Sequence, residues 1–220
     1  MKTALVTGSA KRLGKEIATS LANNGWKVIW HHNSTPIDVA GAVSVKADLT
    51  DFGQLPKLFE HGKVDLLINS ASIYERKKFA DSTEDDFDRN INLHVKAPYF
   101  LSQYFAKQTE NGHIINIVDA FIVKNKTVHF PYLLSKKALW DLTKMLAIEL
   151  APNIRVNAIL PGAMREYSDN LDPEFKARRK AQIPQGEFAT SKEVISAINF
   201  LINSELTAQE IYVDAGEHLL

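Results

Sequence analysis

The sequence predicts a single doubly wound α/β domain: a mostly parallel sheet covered by helices on both faces. Three observations predict it. Short apolar runs alternate with helical stretches along the chain, the pattern of right-handed strand–helix–strand units. Runs such as Val64-Asp65-Leu66-Leu67-Ile68 are apolar at nearly every position, as strands buried on both faces are. The 220 residues suffice for a sizeable core, and no linker or repeat divides them.

The elements follow in order. A strand at 4–7 runs into a glycine-containing turn, and a helix at about 12–24 places Leu13, Ile17 and Leu21 on one face before Gly25 stops it. A second strand at 26–31 leads to a loop holding Pro36. Further strands are expected at 42–45, 64–68, 113–118, 155–159 and 210–213, with helices chiefly at 84–109, 132–150 and 191–203. The longest stretch with no obvious strand is 163–190, rich in charge and holding Pro173 and Pro184.

Composition narrows the class. The chain is 45% hydrophobic and 24% charged, with zero net charge, so no nucleic-acid or anionic-membrane partner is expected. It has no cysteine, so neither disulfides nor thiolate chemistry can occur, and a reducing compartment fits. The apolar N-terminal run is too short for a signal-peptide core, and no run reaches bilayer length, which implies a cytoplasmic protein. No metal site is expected.

The turn after the first strand, Thr7-Gly8-Ser9-Ala10-Lys11-Arg12-Leu13-Gly14, has the form of a phosphate loop. Gly8 permits a tight turn and Gly14 close helix–sheet contact. The helix start offers free N–H groups and the positive dipole end to a pyrophosphate. This is the dinucleotide-binding turn of a Rossmann fold. Sites selective for NAD carry an acid at the end of the second strand; here the residues are His31, His32, Asn33 and Ser34. A carboxylate would repel a 2′-phosphate, whereas these groups can bond it. With Lys11 and Arg12 beside the phosphates, the expected cofactor is NADPH.

Tyr132 and Lys136 lie four residues apart on an expected helix, hence on one face. For a tyrosine to act as an acid or base near neutrality its pKa must fall by about three, roughly 4 kcal/mol. One cation about 4 Å away supplies that much at an effective dielectric near 20.

Taken together, these motifs resemble those of the short-chain dehydrogenase/reductases over essentially the whole chain. In order they are Thr7 to Gly14, Asp48-Leu49, Asn69-Ser70-Ala71, Asn92, Asn116-Ile117-Val118-Asp119, Tyr132 with Lys136, Pro161-Gly162, and Val213-Asp214-Ala215-Gly216. The resemblance implies that Tyr132 is the proton donor and that Lys136 binds the nicotinamide ribose and lowers the tyrosine pKa. It also implies that Asn92 holds a relay water and that Asp48 and Leu49 contact adenine. Asn69, Ser70, Ala71, Pro161 and Gly162 would line the cofactor. A homodimer or homotetramer packed through helices at 92–109 and 132–150 is implied as well.

Two departures from the general family are informative. Arg12 stands where glycine is common, and Asp119 replaces the serine usual thirteen residues before the tyrosine. An ionised aspartate cannot donate to a substrate carbonyl, and it raises the tyrosine pKa, which suits reduction better than alcohol oxidation. Both features resemble the pteridine reductases, including the dihydromonapterin/dihydrofolate reductase branch. There the arginine contacts cofactor phosphate and substrate, and the aspartate works with the tyrosine. An aromatic residue follows the Asn-x-Ala-Ser segment and stacks on the pterin; here Asn69-Ser70-Ala71-Ser72-Ile73-Tyr74 provides Ser72 and Tyr74. After Pro161-Gly162 the sequence Ala163-Met164-Arg165-Glu166 lacks the threonine that often meets the nicotinamide amide.

The expected function is therefore NADPH-dependent reduction of a small molecule, a pterin or dihydropterin. The segment 163–190 suits a substrate lid, and Phe121, Lys124 and Arg165 are positions that could face substrate. A 3-oxoacyl-[acyl-carrier-protein] reductase is the alternative enzyme, disfavoured by Asp119. A non-catalytic NADP(H) sensor is the alternative of another class, disfavoured by Tyr132, Lys136 and Asn92.

Overall fold

The computed structural model describes residues 1–125, 127–167 and 172–220. Seven parallel strands form one sheet in the order β3-β2-β1-β4-β5-β6-β7. They are β1 Thr3–Val6, β2 Lys27–His32, β3 Val43–Lys46, β4 Leu66–Asn69, β5 Gly112–Ile117, β6 Ile154–Pro161 and β7 Glu210–Val213. The helices are α1 Arg12–Asn23, α2 Glu84–Ile91, α3 Ala97–Gln108, α4 Phe130–Glu149, α5 Pro173–Lys180 and α6 Ser191–Ile202.

Alternate strand residues face opposite sides, which sorts the core into two main layers. Ala4, Val6, Trp30, Ile68, Ile115 and Ile159 meet Ile17 and Leu21 of α1 and Val194, Ile198 and Leu201 of α6. Leu5, Ile29, Leu67, Ile114 and Val156 meet Leu101 and Phe105 of α3 and Ala147 of α4. The sheet order reverses direction between β1 and β4, the switch point at which such sheets bind ligands beyond their carboxyl ends.

Three features depart from the expected elements. Residues Phe52–Phe59 form a 3-10 helix that buries Leu55 and Leu58 on the α3 side of the sheet. The expected helix 84–109 is broken: Asn92–Lys96 is a π turn in which the Ala97 N–H reaches back to the carbonyl of Asn92. Pro98 supplies the reason. It has no N–H, and in a regular helix its ring would strike the carbonyl four residues earlier, that of His94; a widened turn avoids the clash. The segment 163–190 contains α5 and is pinned at both ends. Met164 bridges Ala189, the Arg165 N–H donates to the Ala189 carbonyl at 2.8 Å, and that of Ala189 donates to the Ala163 carbonyl at 3.1 Å. Residues 168–171 of that segment lie outside the described residues.

Candidate active site

Every motif singled out in the sequence lies at or just beyond the carboxyl edge of the sheet, or on the helices packed beside it. Gly8 closes the first strand–helix turn at φ +69°, and a Cβ there would fall 2.7 Å from the Cα of Ala71. A Cβ on Gly14 would fall 2.3 Å from the carbonyl oxygen of Gly8. Thr7 ties this turn to the next strand: its hydroxyl accepts from the N–H groups of Ser70 and Ala71 at 2.9 and 3.0 Å. Lys11 and Arg12 are exposed, as Leu13 is in part, and the first turn of α1 carries no acid. Arg12 has φ +52°, a left-handed conformation that glycine adopts without strain.

The second-strand residues divide. Asn33 and Ser34 are exposed and His32 is partly buried. His31 is a correction to the expected set. Its ring is 2% exposed: Nδ1 accepts from the Gly8 N–H at 2.9 Å, and Nε2 donates to the Ala47 carbonyl at 3.0 Å. Burial depresses its pKa to about 4, so the ring is neutral and both nitrogens are taken. It braces the phosphate loop and has no nitrogen left for a 2′-phosphate. Asp48 and Leu49 sit beyond β3. The Asp48 carboxylate accepts from the Thr50 N–H and hydroxyl at 2.9 and 2.7 Å, and Leu49 is buried.

At the switch point Asn69 donates to Asn116 Oδ1 at 2.8 Å, and Asn116 donates to Thr143 of α4 at 2.9 Å. Two buried polar atoms on this edge, Asn69 Oδ1 and His32 Nδ1, have no hydrogen-bond partner among the described residues. Pro161 ends β6, and the Gly162 N–H donates to the Val213 carbonyl at 3.0 Å. Close approach of Asp214, 2.5 Å from where a Cβ would lie, explains glycine at 162.

Tyr132 and Asp119 meet directly. The phenol donates to Asp119 Oδ2 at 2.7 Å, and the Phe121 N–H donates to Oδ1 at 2.7 Å. Burial raises the pKa of Tyr132, and the Asp119 charge and hydrogen bond raise it further. Burial also raises that of Asp119, against the pull of Tyr132, Phe121 and Lys136. Lys136 lies one helical turn on, fully buried, and donates to the Ile117 carbonyl at 2.8 Å. Burial lowers it to about 8, with Asp119 opposing. The Lys136 Nζ lies 5.9 Å from the centre of the Tyr132 ring, over its face, where its charge favours the phenolate, while burial, Asp119 and Tyr74 raise the phenol pKa. Asn92 opens the π turn and is partly exposed.

Tyr74 is 58% exposed and stands over this pair. Its ring meets Tyr132 edge-on at 4.9 Å and stacks on His129 at 4.3 Å. Its hydroxyl lies 3.1 Å from His129 Nε2. The Ser72 hydroxyl, expected to face substrate, instead lies 3.0 Å from His94 Nε2. Of the three further positions that could face substrate, Arg165 lies 3.6 Å from Glu187 and Lys124 donates to the Glu217 carbonyl. Arg179 of α5 pairs with the Glu217 carboxylate and lies over the ring of Phe121. Sequence reasoning missed His94, His129 and Ser135; the available signal was a histidine two residues after Asn92 on an otherwise apolar helix face.

A phosphate loop at the carboxyl edge of the sheet, beside a buried Tyr–Lys pair, defines a class. The chain matches the family model described as Enoyl-(Acyl carrier protein) reductase over residues 8–218, and it belongs to the short-chain dehydrogenase/reductases. It is a short-chain oxidoreductase. More particularly, it is similar to FolM alternative dihydrofolate reductase 1 from Brucella canis complexed with NADP, with a TM-score of 0.91 and 32% identity, covering 100% of this chain and 94% of that one. The corresponding protein from Brucella suis, in complex with NADP, gives a TM-score of 0.89 and 31% identity over 100% of this chain and 96% of that one. Among sequences, 3-oxoacyl-[acyl-carrier-protein] reductase FabG of Thermotoga maritima is 32% identical over 98% of this chain and 97% of its own length.

Proposed function

We propose that the protein is an NADPH-dependent reductase of a dihydropterin or pterin. The observation that carries the reading is the buried Tyr132–Asp119 hydrogen bond with the exposed Tyr74 ring edge-on to it. The edge fits a dinucleotide: glycines at 8 and 14 where a Cβ would collide, an α1 start without acid, and two unpartnered buried polar atoms. Gly8, Lys11, Arg12, Leu13 and Gly14 would hold the phosphates, with His32, Asn33 and Ser34 around the 2′-phosphate. NADPH supplies a hydride when bound.

The protein's own residues handle orientation and the proton. Tyr74 offers a flat face to a flat heterocycle, worth of order 0.5–1.5 kcal/mol beyond burial. Tyr132 keeps its proton in the resting site and gives it to the substrate nitrogen. Asp119, whose carboxylate accepts from the phenol and whose pKa burial raises, takes up a proton from solvent and passes it back to Tyr132 after turnover. Lys136 holds the ribose end, and Arg12 reaches toward phosphate and substrate. The segment 163–190, anchored through Arg179 on Glu217, closes the site as a lid. Leu134, Met145 and Ile148 on α4 with Tyr99 on α3 form an exposed apolar face that suits a homodimer or homotetramer. No helix among the described residues is long and apolar enough to cross a membrane, and with no cysteine a cytoplasmic setting fits.

The test is NADPH oxidation with dihydrobiopterin, dihydromonapterin and dihydrofolate against acetoacetyl thioesters. Turnover of a dihydropterin, with thioesters at least about tenfold poorer in kcat/KM, is expected. Brisk thioester reduction with no dihydropterin turnover overturns the substrate. The likeness to FabG favours that second reading, which Asp119 opposes because no hydroxyl stands there to polarise a carbonyl.

A further inference from the structure

We propose that His94 is a positioning residue that fastens the segment carrying Tyr74, through Ser72 and Ile73, to the helical turn carrying Tyr132. The inference rests on the reading of Tyr132 and Tyr74 given above. His94 lies in the π turn, 1% exposed, between β4's outgoing loop and α4. Its Nδ1 is 2.8 Å from Ser135 Oγ, and its Nε2 is 3.2 Å from the Ile73 N and 3.0 Å from Ser72 Oγ. The ring also meets Tyr132 edge-on at 5.5 Å.

The hydrogens around His94 can be counted. The Ser135 hydroxyl has one hydrogen and donates it to the Tyr132 carbonyl at 2.7 Å. It must therefore accept from His94, so Nδ1 carries the proton. The Ile73 N–H can only donate, so Nε2 presents its lone pair. One neutral tautomer satisfies the Ser135 and Ile73 contacts, while the single Ser72 hydrogen lies between two acceptors, His94 Nε2 at 3.0 Å and the Ile73 carbonyl at 3.2 Å. A proton on Nε2 would face the Ile73 N–H, and burial with the nearby Lys136 charge keeps the imidazole neutral in agreement with this. A directed chain results: Ile73 to His94 to Ser135 to the backbone of Tyr132. It joins three segments of distant sequence that carry Tyr74, Asn92 and Tyr132. The imidazole does not reach the Tyr132 hydroxyl, which is given to Asp119, so its part is geometric.

His94 sits inside the π turn Asn92–Lys96, whose widening keeps its carbonyl clear of the Pro98 ring.

The two ends of the ring can be severed separately in the full-length enzyme. Asn places an amide N–H near Nδ1 and keeps the helix side; Gln places an amide oxygen near Nε2 and keeps the loop side. With NADPH saturating and dihydrobiopterin varied, His94→Gln is expected to hold KM and lose about tenfold in kcat. His94→Asn is expected to hold kcat more closely and raise KM about tenfold, and His94→Leu to do both. Ser135→Ala should repeat the Gln pattern with less risk to folding. Equal changes in the Asn and Gln variants, or wild-type constants in folded His94→Leu, overturn the proposal. A second readout needs no substrate: hydrogen exchange of the NADPH complex. Faster exchange at Ile73 and around 130–136 in His94→Leu, with α1 and α6 unchanged, supports the tie; uniform acceleration or no change overturns it. If the wild type reduces no dihydropterin, the functional reading has failed and the exchange result alone decides the role of His94.

Discussion

The hydroxyl of Tyr132 donates to Oδ2 of Asp119 at 2.7 Å, and burial raises the pKa of both groups. A pair in which each member resists losing its proton is suited to protonating a substrate. It is poorly suited to deprotonating an alcohol, which would need a phenolate. The direction of the chemistry thus follows from replacing a neutral hydroxyl by a carboxylate at position 119.

Tyr132→Phe is expected to lower kcat by about 10²–10⁴-fold, the usual contribution of a general acid. The ring and its packing remain, so NADPH affinity should stay within about threefold of the wild type. Steady-state turnover and nicotinamide fluorescence titration read the two effects. A near-normal kcat would mean that the proton comes from elsewhere.

Arg12 holds φ +52°, so its backbone is strained in a way that glycine relieves. Arg12→Gly should raise stability by up to about 1 kcal/mol, or about 2–4 °C in Tm, while raising KM for NADPH more than for NADH. Calorimetry and cofactor kinetics test the two halves. A less stable variant would refute the strain argument, and equal losses for both cofactors would remove Arg12 from the 2′-phosphate.

Tyr74→Ala should raise KM for dihydropterins by about tenfold or more and lower kcat, because an unclamped ring seldom adopts the reactive pose. Although the side chain as a whole is 58% exposed, partial desolvation first and the Asp119 charge second push its pKa up to about 12, which keeps the hydroxyl neutral throughout the assay range. Unchanged kinetics in this variant would sink the stacking role.

Acid should destabilise the fold through His31. The pKa of His31 falls from an ordinary 6.5 to about 4 in the folded protein, because burial opposes its charge. The unfolded chain therefore binds the extra proton first as pH falls. Stability is complete above about 6.5 and declines toward pH 4, with a limiting slope of about 1.4 kcal/mol per pH unit. His113, lowered to about 3 by burial, acts in the same direction. Urea midpoints measured between about pH 7 and pH 4.5 should drop, while NADPH affinity of the folded protein, whose His31 stays neutral until near pH 4 and keeps accepting from Gly8, should lose nothing through this ring. A flat profile would contradict this.

The strands were legible because burial on both faces leaves a near-continuous apolar mark, as in Leu66-Leu67-Ile68. Tyr132, Lys136 and Asp119 were legible because spacing along one chain records their order. What sequence could not show is which polar groups spend their bonds inside the protein. His31 and His94 look alike as letters, yet their partners lie 16 to 41 residues away along the chain. The 3-10 helix Phe52–Phe59 holds Pro56 and lacks a 3.6-residue repeat long enough to recognise. Pro98 did mark the break at Asn92–Lys96, but a proline near a helix start is also an ordinary feature.

The bond from the Gly8 amide to His31 sets a rule for anyone redesigning coenzyme choice. The customary graft, an acid at the end of the second strand, has one position here that must be left untouched. A carboxylate at 31 could still accept from Gly8, but it would have nothing to give the Ala47 carbonyl. It would also bury a charge where a neutral ring now sits. Rewriting can begin at His32 and run through Asn33 and Ser34, whose side chains do not carry the loop. The keystone and the address label are neighbours in the chain, and only the label is interchangeable.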